Sequence, residues 1–317
     1  MSSSTKFDPS KDIFDLSGRV AIVTGGNTGI GYSTVKFLAR RGAKVYLSAR
    51  NESTATDAIA RLEKEGLGSG QVVFLKLDLI DPRLAKKSAE DYIGKEKRLD
   101  ILVNNAGLLT DLRQKTLQTP DGMSVMMATN YIGPYVFTRS LLDLLVKTAQ
   151  EPDSDVRIVN VSSHMHRMTA PATDFDDPVI FHDECKKYTT PSFGRYAVSK
   201  YAMNLWTTEL QRRLDAEGRN ILVMALHPGA VNTYARFFPL SRLFNLLFSA
   251  FLDSPDEGAS TSLFAAASPL VRADPDKYRG QYLMPVGTLT SSASTRDAEM
   301  AVRLWSNTES FLQSLGV

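Results

Sequence analysis

The sequence predicts an α/β protein built on a doubly wound parallel sheet with helices on both faces. Three observations lead there. Residues 19–50 read as strand, glycine-rich turn, helix, strand. Strand-like and helix-like stretches then alternate along the chain with short connections, the pattern of β-α-β units. Strand after strand also ends in polar residues, which right-handed crossovers gather along one edge of the sheet, where such sheets bind ligands.

Val20, Ala21, Ile22 and Val23 form an unbroken apolar run, as a parallel strand covered on both faces requires. Gly25, Gly26, Gly29 and Gly31 follow at once. From Ile30 onward, Val35, Leu38 and Ala39 fall at helical spacing, Gly42 ends the helix, and Lys44 to Ser48 is a second strand. A turn without Cβ atoms lets the backbone approach a diphosphate, and the helix N-terminus behind it offers free N–H groups and a positive dipole end. The spacing is G-x-x-x-G-x-G with Thr24 in front, not the commoner G-x-G-x-x-G. Tight turns also use glycines. Their place between an apolar strand and a helix is what favours a dinucleotide site.

The remaining elements follow in order. Ser53 to Glu65 is a helix capped by Asn51 or Ser53 and closed by the glycine-rich run 66–70. Val72 to Leu77 is a third strand ending in Asp78-Leu79, and Pro82 opens a helix to about Lys97. Asp100 to Val103 is a fourth strand ending in Asn104-Asn105-Ala106-Gly107. A long helix starting near Asp121 carries Asn130 in its middle. Val156 to Val161 is a fifth strand followed by Ser162-Ser163, and Arg195 to Ala216 a helix. Ile221 to Leu226 is a sixth strand ending at His227-Pro228-Gly229. Beyond Pro255 come a helix to about Ala267, a last strand near Gln281 to Met284 and a C-terminal helix over Ala298 to Leu312. Residues 1–17 read as a mobile leader, ordered where Ile13, Phe14 and Leu16 meet the body, and 18–317 as one domain.

An apolar fraction of 43% suits a large core, and 23% charged residues suit an aqueous surface. Lys and Arg number 37 against 35 Asp and Glu, a net charge of +2 with the basic residues scattered, which argues against nucleic acid as a partner. Cys185 is the only cysteine, so the chain holds no internal disulfide and no thiolate metal cluster. The polar start predicts no secretory signal. Together these features point to a cytoplasmic protein.

Tyr196 and Lys200 lie four apart on a helix, so both side chains project from one face. A phenol ionises near pH 10. An ammonium one turn away favours the phenolate and brings the acid toward the range of efficient proton transfer. The pair alone is weak evidence, because Tyr-x-x-x-Lys is common on surface helices.

The segment Thr24-Gly25-Gly26-Asn27-Thr28-Gly29-Ile30-Gly31, the Asn104-Asn105-Ala106-Gly107 stretch, Asn130, Ser163, the Tyr196/Lys200 pair and Pro228-Gly229 carry more weight jointly. In that order and context the sequence resembles the short-chain dehydrogenase/reductase family over roughly residues 18 to 290. Within it the chain is most similar to the retinol dehydrogenase and carbonyl reductase branch, through the Leu-Ser-Ala-Arg-Asn end of the second strand and the long insertion before the tyrosine. The resemblance implies a single Rossmann-type domain and assigns roles. Tyr196 is the general acid/base, and Lys200 lowers its pKa and holds the nicotinamide ribose. Ser163, rather than Ser162, hydrogen-bonds the substrate carbonyl, and Asn130 positions a water in the proton relay. Gly25, Asn27, Thr28, Gly29, Ile30 and Gly31 cradle the diphosphate. Asp78 and Leu79 lie at the adenine, Asn104, Ala106 and Gly107 beside the cofactor, and Pro228, Gly229, Val231 and Thr233 at the nicotinamide end. An acid at the end of the second strand would bind the 2′-hydroxyl of NAD. Here Ala49 stands there, followed by Arg50 and Asn51; an always-charged guanidinium suits the 2′-phosphate of NADP(H), which is the favoured reading, and a solvated Arg50 that tolerates both cofactors is the alternative.

Two stretches depart from the compact family pattern. Between Ser163 and Tyr196 lie residues rich in Asp, His, Pro and Thr. His164, His166, Asp174, Asp176 and His182 invite a metal reading, but no zinc-type spacing is met and a surface loop over the active site is preferred, with Phe181 or Tyr188 lining a substrate pocket. Tyr234 to Leu252 carries Leu240, Leu243, Phe244, Leu247, Phe248 and Phe251 at helical spacing. Its uncharged run falls well short of the ~20 apolar residues of a spanning helix. A lid over substrate, a peripheral membrane helix and a homodimer contact all stand as readings, the lid first.

The expected activity is NADP(H)-dependent interconversion of an alcohol and an aldehyde or ketone, on an apolar substrate such as an aryl or long-chain aldehyde, ketone or retinoid-like alcohol, to judge from Phe237, Phe238 and their neighbours. A C=C reductase or isomerase on the same scaffold and a non-catalytic NADP-binding module are the alternatives.

Overall fold

The structure, a computed structural model, describes residues 7–109, 117–168, 175, 178–182, 185, 190–229, 253–290 and 298–317. The first half alternates β1 (Val20–Thr24), α1 (Gly29–Arg40), β2 (Lys44–Ala49), α2 (Glu52–Glu65), β3 (Gln71–Lys76), α3 (Pro82–Ile93) and β4 (Ile101–Asn104). A helical run follows: α4 (Val125–Met127), a π turn (Ala128–Ile132) and α5 (Gly133–Ala149). Then come β5 (Val156–Val161), short 3₁₀ turns at His164–Met168 and Pro178–Phe181, α6 (Pro191–Ala216) and β6 (Ile221–Leu226). The described chain closes with α7 (Pro255–Ala267), α8 (Pro269–Ala273), α9 (Pro275–Tyr278), β7 (Tyr282–Met284), β8 (Thr288–Leu289) and α10 (Ala298–Ser314).

The sheet order is β3-β2-β1-β4-β5-β6-β7-β8, parallel throughout except for β8, which pairs antiparallel with β7. Alternate residues of each strand feed two cores. Val20 and Ile22 face α3, α5, α6 and α10, while Ala21 and Val23 face α1, α2 and α7. Every residue of β1, β5 and β6 is buried, which explains the apolar runs Val20–Val23 and Ile221–Leu226, while β5 buries Arg157 and Asn160 among its apolar residues. The strand order reverses between β1 and β4, so a crevice opens at the ends of these strands.

Several elements differ from the sequence reading. The helix expected from Asp121 begins at Val125, because Gly122 takes a φ of +76° and makes a turn, while the Asp121 carboxylate is held by Arg83 at 2.9 Å. Asn130 sits in the π turn, not in a regular helix. α3 stops at Ile93, short of Lys97, with Gly94 as its cap. α6 starts at Pro191, where a missing N–H costs nothing, so Tyr196 lies more than a turn inside the helix.

The expected leader is only partly separate. Ile13 and Leu16 are fully buried in the core with α1 and α7, and burial of such side chains contributes roughly 1.5–3 kcal/mol each. The Phe14 amide donates to Ala267 O (3.2 Å) and the Leu16 amide to Arg41 O (2.8 Å). Arg157, wholly buried in β5, lies over the Phe14 ring and donates to the carboxylate of Asp155 and to the Ala265 and Ser268 carbonyls at the end of α7. A buried guanidinium is tolerable because its donors are met this way. At the other terminus α10 covers α5 and α6: Tyr131 Oη pairs with Thr308 Oγ1 at 2.8 Å, and Trp305 packs between Tyr135 and Arg213.

Candidate active site

A cleft of about 960 Å³ opens at the strand ends. One wall is the β1–α1 turn. Gly25 and Gly29 adopt φ of +65° and +56°, and a Cβ on Gly31 would stand 2.3 Å from Gly25 O and 2.5 Å from Asn105 Nδ2. No side chain among the described residues caps the first turn of α1, and no acid stands there. Its amide hydrogens and dipole end are therefore available to an anion. The turn is stitched to the β4 end: Asn105 Nδ2 donates to Thr24 O (2.7 Å), and the Ala106 amide donates to Thr24 Oγ1 (2.9 Å).

The β2 end contributes Ala49, Arg50 and Asn51 to the cleft. Arg50 is exposed and makes no hydrogen bond or ion pair among the described residues. Asn51 caps α2 by accepting from the Thr54 amide at 3.3 Å. Asp78 and Leu79 line the next wall, with Asp78 Oδ1 accepting from the Ile80 amide (3.0 Å). A Cβ on Gly133 would meet Leu79 O at 2.3 Å, so the π-turn region can sit against this wall only with glycine there.

Tyr196 and Lys200 both line the cleft and are 5% and 2% exposed. Lys200 Nζ donates to Val161 O at 2.7 Å and lies 5.7 Å from the centre of the Tyr196 ring. Burial pushes Lys200 down to about 7. Asn130 clamps the segment across from it: Oδ1 accepts from the Leu108 amide (2.7 Å), and Nδ2 donates to Leu108 O (2.9 Å) and Ser199 Oγ (3.0 Å). Gly107 lies between Lys200 and Asn130, where a Cβ would stand 3.4 Å from Nζ and 3.8 Å from Oδ1.

The two serines after β5 differ in how their hydroxyls are used. Ser162 lines the cleft and donates its proton to Lys200 O at 3.1 Å, tying β5 to α6. Ser163, buried beside it, accepts at Oγ from the Met165 amide (3.3 Å), which leaves its own proton to donate. Leu109, Met126, Met165 and Phe193 pack around Tyr196 as a small apolar cluster.

Not every expected site residue meets the cleft. Asn104 points inward, donating to Thr138 Oγ1 (3.0 Å) and Asn160 Oδ1 (2.9 Å). Pro228 lines the cleft, and Gly229 takes a φ of +102° beside Asp253. Val231, Thr233, the whole segment 234–252, Asp174, Asp176 and Tyr188 lie outside the described residues. Phe181 is core, not pocket wall: it is fully buried against Tyr131 and Phe311. His182 bonds Gly122 O at 2.8 Å. Among the described residues no three His, Cys, Asp or Glu side chains converge to hold a metal. Sequence reasoning passed over Asn105, Thr24, Ser48, Thr54 and Pro255 as site residues. Only the first two carried a signal, the doubled asparagine and the hydroxyl in front of the glycines.

Residues 19–174 match the family model for short chain dehydrogenase. The chain is 41% identical to a short-chain dehydrogenase/reductase of Armillaria gallica, with 99% of this chain and 98% of that protein covered. It is 35% identical to the polyprenol dehydrogenase of Homo sapiens over 91% of this chain and 83% of that protein. Among solved structures, an uncharacterised protein of Mycobacterium paratuberculosis superposes with a TM-score of 0.71 at 27% identity, covering 96% of this chain and 97% of that one.

Proposed function

Because the chain belongs to the short-chain dehydrogenase/reductase family and is therefore an oxidoreductase of the kind that binds a nicotinamide cofactor, we propose that it uses NADP(H) to interconvert an alcohol and an aldehyde or ketone. The observation that carries this reading is Tyr196 on the cleft wall with the Lys200 ammonium one helical turn behind it, fixed by Val161 O at 2.7 Å. The cradle that a Cβ at Gly31 would fill and Arg50, unpaired among the described residues, support a dinucleotide phosphate, and Ala49 in place of an acid with Arg50 next to it favours the 2′-phosphate.

When bound, the nicotinamide supplies or accepts the hydride. In the reducing direction Tyr196 donates its proton to the carbonyl oxygen as that oxygen gains negative charge. Lys200 favours the resulting phenolate electrostatically. The Ser163 hydroxyl donates a hydrogen bond to the same oxygen and keeps its proton, a role closed to Ser162 because its hydroxyl is engaged with Lys200 O. Asn130 holds the Gly107–Leu109 strip against α6 through its paired bonds to Leu108. Met126, Met165 and Phe193 favour an apolar substrate beside the tyrosine, in keeping with the name of the human relative.

The test is a screen of straight-chain aldehydes, aryl ketones and long-chain alcohols, following NADPH absorbance. The expected result is turnover with NADP(H) and an alcohol or carbonyl product. Reduction of a C=C bond with the carbonyl intact would replace this reading by the C=C reductase, and cofactor binding without turnover by the binding module.

A further inference from the structure

His166 lies three residues past Ser163 in the 3₁₀ turn, 1% exposed, in a stretch whose composition suggests a surface loop. Its ring Nδ1 stands 2.6 Å from Ser163 O, and its backbone amide donates to the same oxygen at 3.2 Å. A carbonyl can only accept, so Nδ1 carries the proton. The ring is held edge-on by Tyr282 of β7, with centroids 4.8 Å apart. One residue thus grips the Ser163 carbonyl twice, while the neighbouring Met165 amide sets the direction of Ser163 Oγ.

We propose that His166 is a positioning residue for Ser163: its Nδ1–H and amide fix the Ser163 carbonyl, and so aim the Ser163 hydroxyl at the substrate oxygen. The inference rests on the role given to Ser163 above. Exposed His164 and neighbouring Arg167 and His227 are the other titratable groups around the ring. Burial, reinforced by charge from Arg167 and His164, lowers His166 to about 4, so the ring stays neutral and its tautomer is set by the Ser163 carbonyl. Tyr282 makes the path longer than the loop itself. A strand near the sheet edge, added late in the chain, braces the ring that braces the serine.

The experiment compares His166→Phe, His166→Asn, Ser163→Ala and the double variant His166→Phe/Ser163→Ala, using the carbonyl compound of the screen that is reduced fastest. Phe keeps the ring against Tyr282 and removes the donor, whereas Asn returns an N–H near the Nδ1 position. Misplacing a reacting group by a fraction of its contact distance costs on the order of tenfold to a hundredfold. That loss is expected in kcat for His166→Phe, with KM and the NADPH dissociation constant nearly unchanged, and His166→Asn should recover most of it. In the double variant the His166 change should add nothing to the loss from Ser163→Ala. Imidazole nitrogen NMR of the wild-type protein, which needs no substrate, should show His166 as the neutral Nδ1–H tautomer at pH 6. An Nε2–H tautomer, or full kcat in His166→Phe beside a slow Ser163→Ala, overturns the proposal while leaving Ser163 in place. Full turnover in Ser163→Ala overturns the reading of Ser163 and this proposal with it.

Discussion

Lys200 Nζ donates to the carbonyl of Val161, 2.7 Å away, across the gap between α6 and the end of β5. The bond fixes the ammonium in a fully desolvated place, and desolvation has a price in stability as well as a use in catalysis. Lys200 falls to about 7 in the folded protein, against about 10.4 in an unfolded chain. Between those values the unfolded state binds more protons, so stability rises with pH. The penalty is complete below pH 7 and gone above about pH 10.4. Lys200→Met should therefore melt higher than the wild type at pH 6.5, with the gap closing toward pH 10. Loss of the donor to Val161 O costs roughly 1–3 kcal/mol, less than the shift recovers. A pH-independent difference in melting temperature would contradict the assignment.

Tyr196→Phe removes the transferable proton and leaves the ring in its cluster with Met126 and Phe193. Turnover should fall by ~10²–10⁴, the range for a general acid/base, while NADPH titration by fluorescence remains close to wild type. Retained turnover would displace Tyr196 from the mechanism.

Arg50→Ala should weaken NADPH binding and leave NADH nearly untouched. A charge-assisted contact is worth about 1.5–3 kcal/mol, or roughly ten- to a hundredfold in the dissociation constant. Equal effects on the two cofactors would mean that Arg50 does not read the 2′-phosphate.

Gly31→Ala places a methyl 2.3 Å from Gly25 O, a backbone atom that cannot swing aside. Overpacking of this kind costs about 1–3 kcal/mol. The melting temperature should drop by a few degrees, and binding of both NADH and NADPH should weaken, because the turn and the α1 N-terminus move together. Unchanged affinity would show that the cradle is not where the dinucleotide sits.

Much of this architecture is written locally in the chain. β1 and β6 declare themselves by their apolar runs because both faces are buried, and the α2 cap is readable from Asn51. What escapes the sequence depends on direction and distance. Asn104 and Asn105 are the same residue in adjacent positions, yet one faces the interior and the other the Thr24 carbonyl, since side chains leave a strand on alternate sides. The π turn at Asn130 is a change of backbone hydrogen bonding that the spacing of apolar residues does not announce. Phe181 reads as a pocket aromatic until Phe311, far along the chain, is seen to cover it. Arg157 inside β5 has the same cause: its partners Ala265 and Ser268 are more than a hundred residues away.

Helix α10 also sets a schedule. Tyr131 and Tyr135 are buried partly by α10, which is synthesised more than a hundred and fifty residues after them. Until α10 is made, this aromatic face lacks that cover, and exposed apolar surface on a nascent domain invites aggregation. A chain terminated before Ala298 should accumulate in the insoluble fraction even though the dinucleotide cleft is already encoded. Supplying residues 298–317 as a separate peptide during refolding should return part of it to solution. A helix remote in sequence from the glycine turn decides whether the fold built on that turn survives its own birth.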